Sequence, residues 1–283
     1  MKLREKIMRL VFAASALAAI LAVGLICVFL FQGGVPAIGK IGVIDFLTGV
    51  DWYPTYDEFG ILPMILGSLY VTAGSIIVGV PIGLFTAVFM ARLCPKPLYK
   101  ILKPAMNLLA GIPSVVYGFF GMVVLVPFVR DAFGGDGSSM LTASLLLGIM
   151  ILPTIISVSE SALRAVPEEL YEGAVALGAS HERAVFGVTL PAAKSGVMAA
   201  IVLGVGRAIG ETMAVKMVAG NQANLRAPSE FLKGVRTLTS NVVLEMGYAE
   251  GMHREALIAT CVVLFIFILL INFLFSVLKR EKR

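Results

Sequence analysis

The chain has 283 residues, of which 58% are hydrophobic and only 14% charged, with a mean hydropathy of +0.93. Soluble domains carry about 25% charged residues, so too little charge is present to cover a soluble surface, and the class is a polytopic membrane protein. The net charge of +5 is no sign of nucleic-acid binding, because the basic residues gather at the ends of apolar runs, where they set orientation. Cys27, Cys94 and Cys261 are scattered without a CxxC pair, so packing is their expected role. His181 and His253 lie far apart in polar segments, which argues against a metal site.

Residues 1–9 form a basic N-terminal segment with Lys2, Arg4, Lys6 and Arg9. Leu10 to Phe31 is uncharged and long enough to cross, since a span needs about 20 residues. A secretory leader has a shorter apolar region, so 10–31 is read as a retained first span. Gln32 to Ile61 is a polar loop with Asp45, Asp51, Asp57 and Glu58 against Lys40, and its Trp52, Tyr53 and Tyr56 suit a membrane interface. Within it, the run from Gly34 to Lys40 nearly spells a phosphate-cradling P-loop. Ile41 stands where a Mg²⁺-binding Ser or Thr belongs, and Pro36 removes a backbone N–H. No nucleotide site is assigned to this chain.

The second span is read over 62–90, with Gly79 and Gly83 spaced for close helix approach. Arg92, Lys96, Lys100 and Lys103 form the next loop, held by Pro95, Pro97 and Pro104. The third span is read over 105–129, and Gly111-Ile-Pro113-Ser114 predicts a kink or break near its start. A fourth span covers 140–158 and a fifth 191–218. The alternating middle of the loop Ala219–Arg254, residues 231–248, predicts short interfacial helices. A last span, 256–278, leads into a basic tail, 279–283. The reading is one all-α membrane domain, 10–278, with six transmembrane helices. Lys and Arg number four in the N-terminal segment, four in the second loop and four in the tail, against one each in the first and third loops. That bias places both termini, and the segment 163–190, in the cytoplasm.

Between the fourth and fifth spans lies the most polar long segment. Pro167 can open a helix, Glu168 and Glu169 suit its positive end, Gly178 is a natural stop, and Ser180 can cap a second short helix through Phe186. Two helices joined at Gly178 and Ala179 are expected. Glu172-Gly173-Ala174, three residues, Gly178, nine residues, then Val188-Thr-Leu190-Pro191 resembles the EAA loop of ABC-importer permeases, with Gly173 in place of the first Ala and Val188 in place of Ile. The resemblance implies that Glu172, Gly173, Ala174, Gly178, Leu190 and Pro191 couple the chain to a separate ATPase.

Arg207, Glu211 and Lys216 are the formal charges well inside the fifth span. Charge at such depth costs about 2.5–3.5 kcal/mol per residue on insertion scales and calls for a partner or a cavity. On one continuous helix Arg207 and Glu211 share a face and can pair, beside a small-residue ridge at Gly206 and Gly210. Two readings follow: a cationic station on an anion pathway, or a self-neutralising structural pair. Lys216 lies nearer the outer face and is expected to snorkel.

The run Gly206-Arg-Ala-Ile-Gly-Glu-Thr-Met-Ala-Val215 is similar to the signature of phosphate-specific transporter permeases of the PstC and PstA type, and Gly111-Ile-Pro-Ser-Val-Val-Tyr-Gly118 belongs to the same pattern. The first helix and Arg236-Thr-Leu-Thr239 favour PstC. The resemblance implies a type I, MetI-like importer in the bacterial inner membrane. Its partners would be a PstA-like sister subunit, two PstB-like ATPases that hold the ATP and Mg, and a PstS-like binding protein outside. The lipid bilayer surrounds it, no nucleic acid is involved, and this chain carries no cofactor and no catalytic set. Rival readings are a permease for sulfate or molybdate, a cation-coupled secondary transporter, and a receptor or scaffold without transport.

Overall fold

Residues 3–280 are described in a computed structural model of the chain; the start of the basic N-terminal segment, residues 1–2, and the end of the basic tail, residues 281–283, lie outside the described residues. The helices that organise it are α1 (Leu3–Ile41), α2 (Leu62–Val88), α3 (Lys96–Gly111), α4 (Ser114–Phe133), α5 (Met140–Arg164), α6 (Glu168–Ala176), α7 (Lys194–Gly210), α8 (Met213–Val218), α9 (Leu238–Glu245) and α10 (Gly251–Arg280). Among the described residues five helices are long and apolar enough to cross a membrane, and a sixth crossing is formed if the bent pair His181–Ala192 and Lys194–Gly210 is one span.

Helix α1 runs through Pro36 to Ile41, so the first part of the expected polar loop is helical. The reason is a seam with α10. A Cβ added at Gly34 would lie 2.5 Å from Val262 Cγ2 and 3.1 Å from the Ala259 Cα. Phe31 and Phe265 meet edge to face at 5.8 Å, and Lys40 pairs with Glu255 at 2.8 Å. The P-loop-like run is this seam. Nearer the N-terminus, Leu10, Phe12, Ile20, Leu25 and Phe29 stay exposed, as suits side chains whose solvent is lipid.

The second difference lies at the third span. Ile112 and Pro113 are extended, with ψ of 127° and 142°, because a proline drives the preceding residue out of the helical region. Residues 105–111, read from sequence as the start of the third span, therefore belong to the amphipathic helix α3, and the apolar helix begins at Ser114.

At the centre, α2 and α5 pack along a groove of small residues. A Cβ at Gly79 would stand 2.8 Å from the Gly148 carbonyl oxygen and 2.8 Å from the Ile151 side chain; one at Gly83 would stand 2.8 Å from Ile155 Cγ2. Around this seam Leu146, Leu147, Met150, Ile151 and Ile155 are fully buried with Val71, Ala214 and Val218. The backbone oxygen opposite Gly79 cannot rotate aside, so Gly79→Leu is expected to cost about 1–3 kcal/mol through overpacking, read as a lowered melting temperature in detergent.

One end of the bundle is closed by residues 43–61 and 220–253. The strands β1 (Trp52–Tyr53) and β2 (Glu58–Phe59) form a small antiparallel hairpin with Trp52 opposite Phe59. It is clamped by Glu245 of α9, which accepts hydrogen bonds from Trp52 Nε1 at 2.7 Å and Arg236 Nη1 at 2.7 Å and sits 2.8 Å from His253 Nε2. Sequence suggested an interfacial helix here. Instead Leu238, Ser240 and Asn241 are fully buried: Thr237 Oγ1 donates to Ser240 Oγ at 2.9 Å, Arg236 Nη1 donates to Asn241 Oδ1 at 3.0 Å, and Ser68 Oγ accepts from the Leu238 N–H at 3.0 Å.

Candidate functional site

Two regions hold the residues singled out in the sequence. The first is the polar segment after α5. Helix α6 starts behind Pro167 and ends in a glycine cap: the Ala179 N–H donates to the Ala174 carbonyl at 3.1 Å and the Gly178 N–H to Val175 at 2.9 Å, the paired bonds that close a helix through a left-handed residue. Gly178 has φ +89°, which glycine adopts without the Cβ clash other residues meet. Ser180 Oγ then accepts the Arg183 N–H at 3.3 Å and caps the short helix His181–Ala184. That helix continues as a π-helical turn, Val185–Thr189, into Leu190–Ala192. Tyr171 hydrogen-bonds His181 Nδ1 across the corner, with the two rings 5.4 Å apart, so the angle between the two helices is fixed. The Glu182 carboxyl is held below the ordinary carboxylate range by its own backbone N–H and then by Ser180.

Glu172, Gly173, Gly178 and Pro191 are exposed, and Ala174 and Leu190 half-buried. Leu177 is 92% exposed, and Leu170 and Val175 of the same segment are exposed as well. Sequence reasoning passed over Leu177; the available signal was one large apolar residue directly before a helix-ending glycine in a polar run. An apolar side chain so placed invites insertion into a recess on a partner surface.

The second region is the broken fifth span. Helix α7 is bent by 71° from the residues before it and ends at Gly210. Glu211 is extended, with ψ 125°, and α8 starts only at Met213. The continuous helix assumed from the sequence does not exist, and the expected Arg207–Glu211 ion pair does not form. Arg207 Nη1 instead donates to Thr154 Oγ1 of α5 at 3.2 Å, and Glu211 Oε1 accepts the Ala214 N–H at 3.2 Å, capping α8. A carboxylate suits the positive end of a helix. The ridge is corrected too. Nothing lies within 4 Å of a Cβ built on Gly206 or Gly210, whereas Gly204 meets Ile155 at 2.9 Å. Lys216 is half-buried, and its carbonyl accepts from Asn221 Nδ2 at 2.7 Å.

Beyond Glu211 the space narrows. Thr239 Oγ1 donates to the Glu211 carbonyl at 3.3 Å, and a cavity of about 10 Å³ remains among Ser68, Thr72, Glu211, Thr237 and Thr239, close to the room one water needs. On the other side, α4 abuts α8: a Cβ at Gly118 would lie 3.0 Å from the Ala214 Cα.

Residues 79–283, which include both regions, match the family described as binding-protein-dependent transport system inner membrane component. The chain belongs to this family. It is 40% identical over 279 residues to the probable ABC transporter permease protein YqgH of Bacillus subtilis, covering 95% of this chain and 90% of that one. It is also 33% identical over 279 residues to the phosphate transport system permease protein PstC of Mesorhizobium japonicum, covering 91% and 84%. Among solved structures it is similar to an inward-facing form of the MetNI methionine ABC transporter, with a TM-score of 0.62 and 23% identity over 78% of this chain and 94% of that one. A bacterial ABC transporter involved in alginate import gives a TM-score of 0.60 at 15% identity, covering 98% and 100%. These two similarities speak to the fold alone.

As a family member, the chain is a multi-pass, all-α permease subunit of an ABC importer in the bacterial inner membrane. It is a non-catalytic component, the ATPase being a separate subunit, and it works with an ATPase and a binding protein.

Proposed function

We propose that this permease carries inorganic phosphate inward, with Arg207 and Glu211 on the anion path and the segment Glu168–Pro191 seated on the ATPase. The observation that carries the reading is the partner of Arg207, a neutral hydroxyl rather than a carboxylate. A guanidinium locked in an ion pair has little attraction left for an anion. One tethered to Thr154 keeps its charge, and its other N–H groups can meet two oxygens of a tetrahedral oxyanion. Glu211, engaged in capping α8, stands four residues along the chain and keeps the station from holding the anion too tightly.

Phosphate is preferred over sulfate or molybdate because relatives from several bacteria bear the name phosphate transport system permease protein PstC. The partners in this reading are a PstA-like sister, two PstB-like ATPases carrying ATP and Mg, and a PstS-like binding protein. Both termini and the docking segment face the cytoplasm. An inward-negative potential opposes anion entry by roughly 2.3 kcal/mol per charge per 100 mV, so accumulation needs coupling to ATP or to cations; in this reading the ATPase on a partner chain supplies it.

Reconstitution of the full complex in vesicles tests the reading. Labelled phosphate is expected to enter only with ATP, and unlabelled phosphate, not sulfate or molybdate, is expected to compete. Equal competition by sulfate would replace phosphate with a broader oxyanion class. Uphill uptake by this chain alone, driven by an ion gradient, would overturn the importer mechanism.

A further inference from the structure

Behind the docking segment, a cluster of charged side chains joins elements that the pathway and the docking surface leave unconnected. Arg92 lies in the π-helical turn Phe89–Leu93 that follows α2, and its side chain is 10% exposed. Nη1 donates to Glu168 Oε2, in the first turn of α6, at 2.5 Å. Nη2 donates to the carbonyls of Leu163 and Val166, each at 3.2 Å. One rigid guanidinium therefore spans the ends of α2 and α5 and the start of α6, and it stands 6.0 Å from the Tyr171 ring.

Next to it, Glu160 of α5 is 2% exposed. Its carboxylate accepts from Tyr99 OH at 2.7 Å and Lys103 Nζ at 2.7 Å, both on α3, and from Arg164 Nε at 2.9 Å. Arg164 Nη2 donates to the Met90 carbonyl at 2.8 Å, and its guanidinium lies 4.6 Å from the Tyr99 ring. The two groups share the turn after α2, so α2, α3, α5 and α6 meet at one polar joint.

Stability alone is a weak reason for such a joint, since apolar side chains of similar volume often serve as well as buried ion pairs. What a planar guanidinium and a triply bonded carboxylate add is direction: each fixes the angle between several segments at once. Helix α3 leads through the Ile112–Pro113 break into α4, and α4 abuts α8 beside Glu211. A displacement of α6 that the joint passes to α3 therefore reaches the broken span.

We propose that Arg92 and Glu160 are positioning residues that carry movement of the docking segment into α2 and α3, and so couple the ATPase to the pathway. This rests on the docking reading above; the joint adds hydrogen-bonded links from α6 to α2 and α3 beside the chain connections to α5 and α7 and the apolar cluster that Val166 and Val185 share with Val88 and Met90.

The test uses the reconstituted complex with its ATPase and binding protein, and labelled phosphate as probe. Arg92→Met and Glu160→Gln are expected to retain the co-purified ATPase while raising ATP hydrolysed per phosphate imported roughly 10-fold, within the range of ordinary coupling energies. Arg92→Lys, which keeps a cation for Glu168 but cannot span both carbonyls, is expected to fall between. Tyr99→Phe removes one donor without changing packing and serves where Glu160→Gln does not assemble; it is expected to raise the same ratio. An unchanged ratio in these variants, whether uptake is normal or falls together with hydrolysis, would overturn the joint. Failure of the unaltered chain to bind an ATPase would overturn the docking reading instead.

Discussion

Replacing Arg207 by Gln is expected to reduce phosphate uptake about 100-fold while the assembled complex still purifies and melts as before. Gln preserves a donor near Thr154 but removes the charge and the second pair of N–H groups. Two charge-assisted hydrogen bonds to the anion are worth about 3 kcal/mol together at the low end of their range, and each 1.4 kcal/mol is a factor of ten. The structural consequence is small because Arg207 has no carboxylate partner among the described residues to leave unpaired. Binding-protein docking and ATPase association, which do not use Arg207 in this reading, are expected to be unaffected. Wild-type transport by R207Q would remove Arg207 from the path and leave it a purely structural role beside Thr154.

Gly178→Val is the second substitution with a large expected effect, for a different reason. Nothing lies within 4 Å of a Cβ at this position, so no clash inside the chain results. The cost is in the backbone: φ of +89° suits glycine, and left-handed geometry costs other residues roughly 1–2 kcal/mol. Relief of that strain breaks the two capping bonds and swings Leu177 out of place. Co-purification of the ATPase is expected to fall at least about tenfold without loss of the folded permease. Leu177→Asp leaves the cap intact and places a charge where an apolar knob stood, so it is expected to give the same loss by another route. Full ATPase recovery with both variants would move the contact elsewhere on the molecule.

Legibility followed the range of the forces involved. The two helices of the segment Glu168–Pro191 were readable because Pro167, Gly178 and Ser180 act within a turn of where they stand; the π-helical turn Val185–Thr189, which replaces the α-helix read through Phe186, was not. Gly79 and Gly83 marked a close helix approach, though not that α5 makes it. The broken fifth span was not readable. The i, i+4 argument for Arg207 and Glu211 presupposed an unbroken helix, and the residues that replace the missing pair, Thr154 and Ala214, come from a different helix and from beyond the break. The start of α4 carried its signal in Pro113, but uninterrupted hydropathy hid the boundary. Residues 231–248 looked interfacial from their alternation of polar and apolar residues; the partners that let Glu245 be buried, Trp52 and His253, are brought near by no local pattern.

The seam between α1 and α10 has a consequence for how the molecule is made. Gly33 and Gly34 meet Ile258, Ala259 and Val262, so the opening helix finds its partner only when the closing one emerges from the ribosome. Until then lipid fills the notch that α10 will occupy. A nascent chain halted before Gly251 therefore lacks this seam, and its first helix is held by its last turns, where Ala37 packs in one cluster with Phe46 and Met64.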